Sequence, residues 1–123
     1  MSCFKKLNNN FQNQTAKFRN RTLSILFGYD GKQEMIGAIC RLRNTSVPIS
    51  YDTIKRELWT ADLPPVDLVI RTGGELHWSA GFMMWHTADS QFYFTEILWP
   101  DFTDKELLKA FADYAKRERR FGK

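Results

Sequence analysis

Cysteine is scarce in this chain: Cys3 and Cys40 are its only two among 123 residues. Two thiols are too few for a disulfide framework, and no Cys/His cluster has the spacing of zinc ligands. Long apolar runs are missing as well, so no stretch reaches the length of a membrane span, and no signal peptide is expected ahead of the domain. There is no internal repeat. Neither sign of charge dominates: 18 basic and 14 acidic residues leave a formal charge of +4. The excess gathers at the ends, with Lys116, Arg117, Arg119, Arg120 and Lys123 in the tail. That balance suits a local anionic ligand. No recognised nucleic-acid motif or aromatic-interleaved basic face accompanies the tail, so nucleic acid is not an expected partner. The expected setting is the cytoplasm, with peripheral association at a membrane surface left open.

What is present is apolar and aromatic material, 43% and 15% of the residues. That is enough for one folded domain with a modest core. Residues 1–20 are polar, with Asn8-Asn9-Asn10, and read as an N-terminal arm or the end of a helix. The folded unit is expected over 21–123. Leu23-Ser24-Ile25-Leu26-Phe27 reads as a strand and Gly28-Tyr29-Asp30-Gly31 as a turn. Lys32 to Arg43 reads as a helix with Met35, Ile36, Ile39 and Leu42 on one face. Ser50 caps a short helix whose apolar positions are Tyr51, Ile54 and Leu58, and Leu63-Pro64-Pro65 ends that segment. Phe82-Met83-Met84-Trp85 is either a short buried helix or an apolar loop. Phe92-Tyr93-Phe94-Thr95 is a further strand. Thr103 and Glu106 then have capping-box spacing ahead of a stripe at Leu107, Leu108, Phe111, Tyr114 and Ala115. The alternation predicts an α/β unit of about three parallel strands with flanking helices. So small a parallel sheet leaves an edge that something must cover, which favours an oligomer or a partner chain.

The stretch Asp67-Leu68-Val69-Ile70-Arg71-Thr72-Gly73-Gly74-Glu75 stands out. An apolar run ends in an arginine, and paired glycines allow a sharp turn. Ligands of open α/β sheets collect at the carboxyl ends of strands. A guanidinium with free backbone N–H groups there would suit a phosphate. An arginine merely solvated at a strand end is the plainer reading of the same residues.

The same stretch, followed by Ser79, Phe82, Trp85, Phe92-Tyr93-Phe94-Thr95 and Trp99-Pro100-Asp101-Phe102, resembles the C-terminal half of cis-prenyltransferases, such as undecaprenyl and dehydrodolichyl diphosphate synthases. Gly28-Tyr29-Asp30-Gly31-Lys32 with Glu34 looks like that family's Asn-Tyr-Gly-Gly-Arg turn, and Arg120-Phe121-Gly122 like its closing Arg-x-Gly motif. The resemblance implies a parallel-sheet fold that dimerises. It also implies Mg²⁺-assisted condensation of isopentenyl diphosphate with an allylic diphosphate. The family's opening Asp-Gly-Asn-Gly-Arg-Trp-Ala segment, which cradles the allylic diphosphate and supplies a metal-binding aspartate, has no counterpart in this sequence.

Residue by residue, the resemblance makes Arg71 and Ser79 ligands of the isopentenyl diphosphate. His77 stands where the family has a second phosphate-binding arginine, and a neutral imidazole grips phosphate less well. Gln91 occupies the position of a glutamate that ligates Mg²⁺, and an amide is a poorer ligand for a hard cation. Arg120 and Gly122 would reach across a dimer to the partner's diphosphate. The implied role is a subunit of a split or heteromeric cis-prenyltransferase, inactive alone, that needs a companion chain carrying the allylic site. The homodimer or heterodimer is left open. The alternative, supported by His77 and Gln91, is a non-catalytic accessory or regulatory subunit, or an inactive fragment.

Overall fold

The computed structural model describes residues 10–18 and 20–117. In chain order the elements are a short helix α1 over residues 10–15, α2 (Gly31–Leu42), α3 (Tyr51–Arg56), β1 (Leu68–Arg71), β2 (Gln91–Phe94) and α4 (Asp104–Lys116), with single 3-10 turns at Ser79–Gly81 and Trp99–Asp101. The strands pair in parallel, Leu68 opposite Gln91 and Arg71 opposite Phe94. The ladder continues past its ends: Gln91 N–H donates to the Asp67 carbonyl at 2.9 Å, and Thr95 N–H donates to the Arg71 carbonyl at 3.0 Å. α4 packs against β2. Its end also reaches that strand, where the Arg117 guanidinium donates to the Phe92 carbonyl at 3.0 Å. This carbonyl is capped by a charge-bearing side chain, one way of blunting a sheet margin.

The α/β parallel class expected from the sequence is therefore present, with two paired strands among the described residues instead of about three. Residues 23–27 form no ladder. Leu23 and Phe27 are 86% and 80% exposed, and Ile25 is exposed between them. Apolar alternation makes a strand only where it joins a ladder, and the sheet among the described residues consists of β1 and β2.

α2 forms where periodicity places it, but it buries another face. Asp30 caps it, its carboxylate accepting from the Lys32 and Gln33 amides. Gly31, Glu34, Ala38 and Leu42 face inward, whereas Ile36 and Ile39 face outward. The apolar count misplaced the stripe because the inner face is organised by a polar group. Glu34 is 0% exposed. Its Oε1 accepts from the Thr60 amide at 2.9 Å and the Thr60 hydroxyl at 2.8 Å, and its Oε2 accepts from the Tyr29 hydroxyl. This satisfied network ties α2 to the turn that follows α3.

α3 carries a complete capping box between Ser50 and Thr53, and Leu58 is buried just beyond it. The capping box expected at Thr103 and Glu106 is not made: Thr103 stands at the N-cap with no side-chain bond to the helix, while Glu106 pairs with Lys109 at 2.6 Å. Leu108 and Phe111 of the expected stripe are exposed, and Ala110 is the buried residue. Residues 82–85 form turns, with Met83 buried at positive φ, so the apolar-loop alternative holds there.

Removing the Glu34 carboxyl would strand the Tyr29 hydroxyl and both Thr60 donors in the interior. Glu34→Ala is expected to lower the unfolding free energy by roughly 3 kcal/mol, read as a lower urea midpoint. A midpoint within experimental scatter of the parent's would refute this.

Candidate functional site

β1 ends at Arg71, and the chain then turns through Gly73 and Gly74, both at positive φ (87° and 74°). These are backbone conformations that side chains with a Cβ rarely adopt. Their amides are not free: Gly73 N–H donates to the Ile97 carbonyl at 2.9 Å, and Gly74 N–H to the Thr95 carbonyl at 3.0 Å. The expectation of open amides for a phosphate is thereby corrected. The glycine turn is stapled to the segment after β2, and the cationic side chain remains as the donor.

A cavity of about 290 Å³ opens beside this strand end. Val69, Ile70 and Arg71 from β1 and Phe92 from β2 form one side, and Tyr29 closes another. The remaining wall comes from the segment after the glycine turn, with His77, Trp78, Ser79, Ala80 and Phe82. Among the described residues no carboxylate lines it. The Arg71 Nε is buried without a hydrogen-bond partner, and among the described residues Arg71 enters no ion pair. A buried donor left over on a guanidinium marks a place where an anion would be received.

The structure brings Arg71, His77 and Ser79 to this single cavity. His77 is largely exposed, and its Nδ1 lies 3.1 Å from the Glu75 carboxylate, which competes for its donor. Gln91 is not at the cavity. It sits at the amino end of β2, opposite Leu68, whereas Arg71 is at the carboxyl end of β1. The Gln91 Oε1 is buried and unpartnered. One neutral oxygen is a thin donor set for a divalent cation, and no group of three His, Cys, Asp or Glu residues converges among the described residues. The described part of this chain does not by itself fit Mg²⁺. Arg120 and Gly122 lie outside the described residues.

Sequence reasoning missed Tyr29, which looked like one more turn residue. Its hydroxyl donates to Glu34 and accepts from the Met83 amide at 3.2 Å, while its ring meets Phe82 edge-on at 5.7 Å. Burial, then the Glu34 bond and charge, push the Tyr29 hydroxyl well above its ordinary titration range. The one available signal was an aromatic residue between the glycines of a tight turn. Trp78 and Phe82 were assigned no role either; the Trp78 indole donates to the Phe82 carbonyl at 2.9 Å and holds the wall closed on itself.

Residues 2–122 match the undecaprenyl diphosphate synthase family model. The chain belongs to the cis-prenyltransferase family. It is 40% identical over 116 residues to an isoprenyl transferase of Thermotoga maritima, covering 90% of this chain and 49% of that protein. It is 44% identical over 110 residues to an isoprenyl transferase of Neisseria meningitidis serogroup B, covering 89% and 44%. Its fold is similar to that of a probable undecaprenyl diphosphate synthase from Campylobacter jejuni, at a TM-score of 0.79 and 22% identity, across 100% of this chain and 58% of the other. A lavandulyl diphosphate synthase from Lavandula x intermedia, solved with dimethylallyl diphosphate, matches at a TM-score of 0.67 and 31% identity over 77% of this chain and 44% of the other. The chain spans about half the length of the curated relatives it matches. The segment that carries the cavity is thus family material, and a comparable length of those relatives has no counterpart here.

His86 is buried at 4% exposure. Its Nε2 has no hydrogen-bond partner. Burial first and the Lys55 charge second hold its imidazole below the ordinary value, against opposing pulls from Glu34 and the Thr60 backbone. With the folded value depressed, the unfolded chain takes up the proton first as pH falls. This contribution to stability is complete above about pH 6.5 and is lost progressively below it. The urea midpoint should therefore fall from about pH 6.5 towards pH 5, and His86→Gln should flatten that part of the curve. A constant gap between the two proteins across that window would show that His86 does not titrate as described.

Proposed function

We propose that this chain supplies the isopentenyl diphosphate site of a split or heteromeric cis-prenyltransferase and is inactive by itself. The observation that carries the reading is the buried, unpartnered Arg71 Nε in a cavity that no carboxylate of the described residues lines. Arg71 would hold the diphosphate, with the Ser79 hydroxyl as a second donor and the His77 imidazole as a weaker one. The apolar residues Val69, Ile70 and Phe92 suit the five-carbon tail. In this role the chain binds and orients the donor substrate.

A companion chain would carry the allylic diphosphate site. The large apolar side chains left exposed, including Leu23, Ile25, Phe27, Ile36 and Ile39, support this. That second polypeptide is needed for the reaction, and a second copy of this chain alone would not bring the allylic segment. Mg²⁺ belongs to the assembled enzyme in this reading: it offsets diphosphate charge there, and its acidic ligands come from outside the described residues. We place the assembly in the cytoplasm, peripheral to the membrane that takes up a long prenyl product.

The second reading, a non-catalytic accessory subunit, is favoured by His77, tied to Glu75, and by Gln91, which does not line the cavity. One experiment separates the two. In the reconstituted complex, Arg71→Ala should weaken isopentenyl diphosphate binding about 10- to 100-fold, the value of a charge-assisted contact, and depress prenyl transfer accordingly. Transfer indifferent to Arg71→Ala would leave this chain as an accessory. His77→Arg should strengthen binding of isopentenyl diphosphate, measured by calorimetry, because it adds a fixed charge at the rim; an unchanged constant would remove His77 from the site.

A further inference from the structure

We infer that Tyr29 is a positioning residue for the cavity, latching the loop that bears Ser79 to the start of α2. This deepens the reading of the cavity as a diphosphate site and rests on it. The Tyr29 hydroxyl uses both of its capacities at once, donating to Glu34 and accepting from the Met83 amide at 3.2 Å. Glu34 is itself immobilised by the Thr60 amide and hydroxyl, so the latch is anchored in the interior.

The loop it holds needs restraint. Ala80 and Met83 are both at positive φ, 49° and 48°, where a side chain is disfavoured. A loop with such residues keeps its shape only when its surroundings impose it. A second contact acts at the same place. A Cβ on Gly31 would lie 1.9 Å from the Gly81 carbonyl oxygen, so the first turn of α2 and the loop touch backbone to backbone. Tyr29 and Gly31 flank the Asp30 cap, and together they fix how far the Ser79 wall stands from Arg71. Displacing a binding group by about an ångström is enough to cost a large share of its contribution.

Tyr29→Phe keeps the ring and removes the latch. Calorimetry with isopentenyl diphosphate should show about tenfold weaker binding, the equivalent of one lost hydrogen bond in the wall. Gly31→Ala, which pushes the loop outward by another route, should do the same. Hydrogen exchange provides a readout that a general loss of stability would not reproduce. The Met83 amide should exchange faster in Tyr29→Phe, while amides of β1 and β2 remain as protected as in the parent. Tyr29→Phe that binds isopentenyl diphosphate as the parent does, or that leaves Met83 exchange unaltered, overturns the latch while the cavity reading stands. A parent chain that binds no isopentenyl diphosphate, alone or in its complex, overturns the cavity reading and this inference with it.

Discussion

A buried carboxyl group holds this half-fold together. Glu34 lies in the first turn of α2 with no exposed surface, and three donors from Tyr29 and Thr60 surround its two oxygens. Burying a carboxyl is unfavourable unless its hydrogen-bonding capacity is met. Each group around it is therefore constrained in place. α2, the turn after α3 and the loop at Met83 meet at that point. Fully buried apolar residues are few among those described (Ala38, Leu42, Leu58, Met83 and Ala110), so directional bonding substitutes for bulk.

Around this junction the short parallel pair does one job. It carries Arg71 to a cavity that no carboxylate of the described residues lines, with its Nε out of solvent. The same argument explains the division between rigid and open surfaces. The cavity side is bonded: glycine amides to the segment after β2, Tyr29 to Met83, the Trp78 indole to the Phe82 carbonyl. Elsewhere Leu23, Ile36 and Ile39 remain exposed.

Much of the arrangement was legible in the sequence. The Leu-Val-Ile-Arg run and the paired glycines placed β1 and its turn, the Phe-Tyr-Phe run placed β2, and the family motifs pointed to Arg71 and Ser79, which do share a cavity. What failed shares a cause. Periodicity counts apolar residues, and the inner face of α2 is built around a glutamate, so Ile36 and Ile39 were assigned inward. The strand expected at Leu23–Phe27 has the right alternation, but the sheet among the described residues consists of β1 and β2. The glycine amides read as free because their acceptors lie more than twenty residues on.

The parallel register has one more consequence. The carbonyl of Arg71 is bonded by Thr95, and the next turn is bonded back to Thr95 and Ile97, so the main chain on both sides of this arginine is held before any ligand arrives. An anion received there would meet a fixed backbone, leaving side-chain rotors to be ordered, about 0.5–1.5 kcal/mol for each rotamer-rich group. Binding at that point would be governed by how fast charge is delivered and lost, with little waiting for the backbone to rearrange.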